Sequence, residues 1–261
     1  MDTYKAASNI DVITADFSLP GFGFVPINAF VIHGAEPMLV DTGAGVHSAK
    51  FMKALRSIID PRDLRWIWLT HTDFDHIGSL HQLLSENPKL RIMTSFLSVG
   101  ILSLSMPLPM DRVRIVNPGE SVTLSDRTLN AFRPPSFDNP STTGFYDSKS
   151  GVLFSSDCFG APLSKPVQNT ADLSEKDLRS GQLFWATLDA PWIHKTDGQI
   201  LAKELKTIRE MAPGMILGSH LPAANGNMTE ELLGAISEAP SATPFAPLTQ
   251  AALEQMFAAV S

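Results

Sequence analysis

Four potential metal ligands, His71, Asp73, Asp75 and His76, fall within six consecutive residues, directly after the apolar run Leu64-Arg-Trp-Ile-Trp-Leu69. Imidazole nitrogen and carboxylate oxygen are donors that suit zinc, iron and manganese. If the chain stays extended, residues 71, 73 and 75 project to one side and His76 to the other, so one loop can serve two adjacent ions. A polar surface loop of hydrogen-bonded His and Asp is the bland alternative, and the density of donors argues against it. Asp157 follows Gly151-Val-Leu-Phe154-Ser-Ser, where a carboxylate can bridge two cations through its two oxygens. His220 follows Met215-Ile-Leu217-Gly-Ser in the same way. Alone, Asp157 could cap a turn and His220 could be structural. Three strand ends aimed at one edge make the joint case.

The elements that must position these groups read as alternating strands and helices. Ala29–His33 and Pro37–Val40 form a hairpin around Gly34-Ala-Glu36, and Asp41-Thr-Gly43 closes it at a sharp bend. Phe51, Leu55 and Ile58 lie on one helical face of residues 47–59. Residues 64–69 are a strand buried on both sides, and a helix leaves the ligand loop over Ile77–Leu84. The second half repeats the theme. Strands are expected at 112–116, 121–124, 128–133, 143–146, 151–154 and 215–217, and helices at 200–211, 228–237 and 248–260. The sum is an α/β sandwich with sheets inside and helices outside. We read residues 1–261 as one domain, with 241–261 as a Pro-rich C-terminal linker and helix. Loops at 18–28, 94–111 and 160–195 are left to set specificity.

The segment from Leu69 to Ser79 resembles the signature loop of the metallo-β-lactamase superfamily, H-x-[HED]-x-D-H, and Val40-Asp41-Thr-Gly43 resembles its earlier Asp-Thr-Gly turn, whose Asp is mainly structural. Within it, the chain is most similar to the flavodiiron and oxygen-binding diiron branch. Gly151-Val-Leu-Phe-Ser-Ser-Asp157-Cys-Phe-Gly160 resembles that branch's bridging Asp, and Ile216-Leu-Gly-Ser-His220 its final His. The resemblance spans residues ~25–222 by motif order and implies a four-layer αβ/βα fold. Two positions depart from it. The third loop position is Asp73 rather than Glu or His. The stretch where the branch has a further His reads Ser136-Phe-Asp138-Asn139-Pro140, with Asp138 as the substitute. The ligand set is then His71, Asp73, Asp75, His76, Asp138, Asp157 and His220. Abundant hard oxygen favours iron, with manganese or zinc as alternatives.

Two functional classes follow. In one, two irons bind or reduce O2 or NO with electrons from a separate partner, since these 261 residues leave no room for a flavodoxin domain. An O2 sensor or carrier is its non-catalytic form. In the other, a metal-bound hydroxide attacks an ester, lactone, amide or phosphodiester, with Asp75 orienting the water or accepting its proton. The net charge is −7 with no basic cluster, which argues against nucleic acid or an anionic membrane as partner. No stretch reaches the ~18–20 apolar residues of a membrane span. The single cysteine and the acid-bearing first 20 residues point to a reducing cytoplasm and no signal peptide. Cys158 is expected as a buried hydrophobe facing away from the metals. His81 and His194 read as surface or supporting groups, and His33 and His47 have no evident partners. Phe22, Phe24 and Met106–Met110 could wall the metals, with packing as the default. A homodimer is common in the diiron relatives.

Overall fold

Alternating apolar residues and short parallel strands build two sheets in the computed structural model, which describes residues 1–19 and 21–258. The first sheet runs β1 (Asp2–Ala7), β2 (Ile10–Leu19), β3 (Gly23–Ile32), β4 (Met38–Val40), β5 (Trp66–Trp68), β6 (Arg91–Thr94) and β7 (Val113–Ile115), in spatial order as in sequence. The second contains β8 (Ser121–Thr123), β9 (Thr128–Phe132), β10 (Gly144–Asp147), β11 (Val152–Phe154), β12 (Met215–Leu217) and β13 (Ala224–Asn225), arranged β13-β12-β11-β10-β9-β8. The helices are α1 (Ser48–Ile58), α2 (Leu80–Glu86), α3 (Phe96–Ser103), α4 (Glu175–Asp189), α5 (Gly198–Met211), α6 (Thr229–Glu238) and α7 (Gln250–Ala258).

Three buried clusters define four layers. Between the sheets lie Val12, Phe30, Val40, Trp68, Phe145, Phe154 and Leu217. Phe51 and Leu55 of α1 with Leu80 and Leu83 of α2 cover the outer face of the first sheet at Val31, Leu39 and Ile67. Leu178 of α4, Leu205 and Ile208 of α5 and Leu232 of α6 cover the second at Leu153 and Ile216. The sequence-derived αβ/βα sandwich is therefore the observed architecture. Each large side chain wholly withdrawn from water contributes roughly 1.5–3 kcal/mol, and Trp68, Phe51, Phe145 and Phe154 head that group.

Several local expectations shift. The loop expected at 18–28 is mostly strand, because β2 and β3 pair in unbroken register from Ile10↔Ile32 to Leu19↔Gly23. The helix expected from Ile77 begins at Leu80, since Asp73 O receives the amides of His76 and Ile77 and the chain turns tightly first. The loops at 94–111 and 160–195 contain α3 and α4. His33 does have a partner, the Asp11 carboxylate at 2.6 Å. The helix expected over 248–260 is described as far as Ala258, and its last two residues lie outside the described residues. No helix among the described residues is long and apolar enough to cross a membrane.

Parallel pairing matters most for the site. β4 and β5 run parallel, as do β11 and β12. Their C-terminal ends deliver Asp41, His71, Asp157 and His220 to one edge of the sandwich, where strand ends leave backbone and side chains free to bind.

Candidate metal centre

The ligand loop is fixed first by the Asp41 turn. Asp41 takes a left-handed conformation, φ 57°, which a short Asp tolerates better than most side chains. Its carboxylate accepts from the Thr70 amide and the Thr70 hydroxyl, each at 2.8 Å, and from His76 Nδ1 at 2.9 Å. Thr42 N donates to His76 O at 2.6 Å, and Gly78 N to Gly43 O at 2.8 Å. This approach is so close that a methyl on Gly78 would run into the backbone of residues 43–45. The second sheet is tied to the same loop, with Thr143 N donating to Thr70 O at 2.7 Å and the Trp68 indole to Thr143 O at 3.2 Å.

Two pockets result, and Asp157 faces both. Its Oδ2 lies 3.4 Å from His71 Nε2, which is itself 3.8 Å from Asp138 Oδ2 and 3.9 Å from Asp73 Oδ2. Its Oδ1 lies 3.3 Å from His76 Nε2 and 3.5 Å from His220 Nε2, and Asp75 Oδ2 is 3.4 Å from each of those nitrogens. All seven residues singled out from the sequence therefore converge. The first pocket gathers His71, Asp73, Asp138 and Asp157, and the second Asp75, His76, His220 and Asp157. The alternate-side expectation is met in part: His71 and Asp73 share one pocket, whereas Asp75 joins His76 in the other.

Three donor atoms are aimed into the pockets without a hydrogen-bond partner, whereas Asp73 Oδ1 accepts from Asn139 Nδ2 at 2.7 Å. Nε2 of His71 and of His76 are buried with no hydrogen bond, as is Asp138 Oδ1. Such orphans are costly unless something else satisfies them, and a cation is what this donor set fits. On the far side of each ring, Nδ1 is anchored. His76 donates to Asp41, and His220 donates to Pro26 O at 2.9 Å. Thr70 spends its hydroxyl proton on Asp41, so its oxygen accepts from His71 Nδ1 at 3.1 Å. Each anchor fixes its ring so that Nε2 faces the pocket, the arrangement seen in metal-ligating histidines, and a bound cation would displace any proton held there.

Electrostatics mark the same spot. Burial alone would raise Asp157 and Asp75, but the surrounding imidazoles outweigh it and hold both carboxyls well below the usual range. Burial would lower His220, yet Asp157 and Asp75 push it up to about 9. His71 is depressed by burial and by His76 beside it. Asp138 is pushed up to about 9 by burial, then by Asp157 and Asp189. Groups displaced in both directions within one cluster are typical of a functional site.

The sequence reading missed three supports. Asn28 donates to Gly218 O and Leu221 O at 2.9 and 2.8 Å, clamping the His220 turn. Trp185 of α4 donates to Asp157 O at 3.1 Å and packs on the His220 ring. One turn later, Asp189 brings its carboxylate to Asp138 and Asp157. Its one sequence signal is position, since an acid in a helix's last turn opposes the helix dipole.

Other candidates fall away. Cys158 is buried, and burial pushes its thiol far up, as fits an inert hydrophobe. His81 is exposed, and His194 bonds Pro240 O at 3.1 Å. Phe22 packs on Phe184 and Phe245, while Met106 lines a separate cavity beside His81 and Arg112. The apolar wall beside the centre is instead Phe17, Ile27, Val46, Phe74 and Ile77, lining a cavity of about 690 Å³ that reaches Asp75.

Comparison with known proteins gives the same picture. The profile of a family described as ODP family beta lactamase matches residues 25–220. Rubredoxin-oxygen oxidoreductase of Megalodesulfovibrio gigas is 23% identical over 225 residues, 84% of this chain and 55% of that protein. A putative diflavin flavoprotein A 2 of Synechocystis is 30% identical over 134 residues, 51% of this chain and 23% of that protein. The flavodiiron protein of Giardia intestinalis has the same fold, with a TM-score of 0.80 at 14% identity, covering 92% of this chain and 59% of that one. The chain spans about half the length, or less, of the curated relatives it matches.

Proposed function

The chain belongs to the ODP family of β-lactamase-like proteins, and from that premise we propose that it is a non-haem diiron protein that binds or reduces a diatomic molecule, O2 or NO. The observation that carries this reading is the bridging geometry. One buried carboxylate, Asp157, presents each of its oxygens to a different His–carboxylate pocket. The relatives' names, flavodiiron protein and rubredoxin-oxygen oxidoreductase, pair such a centre with oxygen and an electron donor. We assign this chain the same division of labour, with electrons brought by a separate redox protein.

His71, Asp73, Asp138 and Asp157 would hold one iron, and Asp75, His76, His220 and Asp157 the other. Two bound irons would supply exchangeable electrons and open positions for a diatomic ligand. The chain's own residues do the rest. Four carboxylates, at Asp73, Asp75, Asp138 and Asp157, offset two divalent charges, so the loaded centre is near neutral and tolerates its burial. The Nδ1 anchors at Asp41, Thr70 and Pro26 O keep the imidazoles from turning. Phe17, Ile27, Val46, Phe74 and Ile77 line the approach to Asp75 with apolar surface, much of it exposed, which suits a small uncharged molecule. In this reading Asp75 is a metal ligand, kept as a carboxylate by His76 and His220, and the role of orienting water or accepting its proton belongs to the hydrolytic alternative. A single buried cysteine suits a reducing compartment, and the cytoplasm is the proposed location.

Purification without chelator tests the proposal. Elemental analysis should find about two metals per chain, iron dominant, and exposing the reduced protein to O2 should produce a visible charge-transfer band. Stoichiometric zinc together with turnover of a lactone or phosphodiester panel would replace it with the hydrolytic reading.

A further inference from the structure

Asp189 is the last residue of α4, where the aligned peptide dipoles place partial negative charge. Among the described residues, no hydrogen bond is made to its carboxylate. Oxygens of Asp138, Asp157 and Asp189 nevertheless all lie within 4.8 Å of one another. Asp138 and Asp157 also face His71 Nε2, at 3.8 and 3.4 Å, and that nitrogen is fully buried and unpartnered. Among the described residues, no lysine or arginine forms an ion pair with Asp73, Asp138, Asp157 or Asp189. Crowded carboxylates with a helix terminus behind them repel one another unless a proton or a metal cation sits between them. Asp189 is not there by slackness of the helix end. Trp185, one turn earlier on the same face, is fastened to Asp157 O at 3.1 Å and packs at a tilt against His220, which fixes the direction of the last turn.

We propose that Asp189 is a further donor to the first pocket, and that with it this pocket takes a harder cation than the second. This inference rests on the dinuclear reading above. With Asp189 the first pocket sets one imidazole against four carboxylates, whereas the second sets two imidazoles against two. Imidazole raises affinity for the later, softer divalent metals, and carboxylate oxygen narrows their advantage over manganese(II). The manganese-to-iron ratio is therefore higher in the first pocket than in the second when both metals are offered.

The test is to load metal-free protein anaerobically with equimolar manganese(II) and iron(II), crystallise it, and measure anomalous scattering at both absorption edges in each pocket. The first pocket should carry a several-fold larger manganese share. In Asp189→Asn, a near-isosteric change, calorimetric titration should show first-pocket manganese affinity weakened roughly tenfold, with the second pocket, whose His220 and His76 also feel the Asp189 charge, affected less. Equal metal ratios in two filled wild-type pockets, or unaltered affinity in the variant, would overturn the assignment to Asp189 alone. Protein that takes up no metal in either pocket would overturn the dinuclear reading and this inference with it.

Discussion

The two oxygens of Asp157 open onto unequal surroundings. On the Oδ1 side, two imidazoles are each fastened from behind, His76 by Asp41 and His220 by the Pro26 carbonyl. On the Oδ2 side a single imidazole, His71, meets the carboxylates of Asp73, Asp138 and Asp157. Both pockets are held by hydrogen bonds already present in the protein, since Thr70 and Ser156 contact His71 Nδ1 and Asn139 donates to Asp73. They differ in charge, with one imidazole among three carboxylates in the first and two imidazoles with two carboxylates in the second. In the proposed dinuclear reading the two pockets are not copies of one site, and the contrast between them is one of charge.

That contrast can be broken outright at the shared group. Asp157→Ala removes the bridge, and metal content measured by elemental analysis should fall from about two per chain to below one. Retention of two ions would show that the pockets are independent of it. Asp41→Asn strikes the second pocket directly, through His76, and reaches His71 of the first only through Thr70. Asparagine tolerates the left-handed backbone, but its single oxygen cannot serve the Thr70 amide, the Thr70 hydroxyl and His76 Nδ1 together. Affinity of the second pocket should drop about 10- to 100-fold, with the first much less affected in a competition titration. Asp138→His would erase the contrast, giving both pockets two imidazoles. Zinc and iron(II) affinity in the first pocket should rise roughly tenfold, and an unchanged titration would show that Asp138 is not a donor. The smallest effect is expected at Cys158→Ala. It should leave metal content intact and cost about 1 kcal/mol of stability from the lost sulfur packing, read from denaturant melts. The native thiol should resist alkylation, because burial holds it protonated.

The same asymmetry governs what could be read from the chain. The second pocket's Asp75 and His76 and the first pocket's His71 and Asp73 sit in one dense loop behind an apolar strand, and a local pattern suffices to find them. Asp157 and His220 were found because each follows a short apolar strand. Asp189 was not, because its one mark, an acid in a helix's last turn, needs the helix α4 to be recognised first. α4 buries Leu178, Gln182, Ala186 and Thr187, a stripe too polar and too small to stand out as a helical face. α3 has the opposite difficulty, being apolar almost all round and so without a readable period. β1 and most of β2 were overlooked because acids interrupt them, although Asp11 is buried against Lys5 and His33. The layered fold was legible since its central strands are short, fully apolar runs. The missing parts depend on contacts between distant segments.

The stitching of the 70–76 loop to the second sheet through Thr143 has a consequence for how the protein is made. During synthesis the His71–His76 segment leaves the ribosome well before Asp157 or His220 exists. In that interval it is a bare chelating peptide, able to capture an ion with the wrong partners. An ion held by unfolded chain offsets the stabilisation it gives the finished protein, so early capture delays assembly rather than guiding it. Refolding first and adding metal afterwards should thus return more correctly loaded protein than refolding with metal already present.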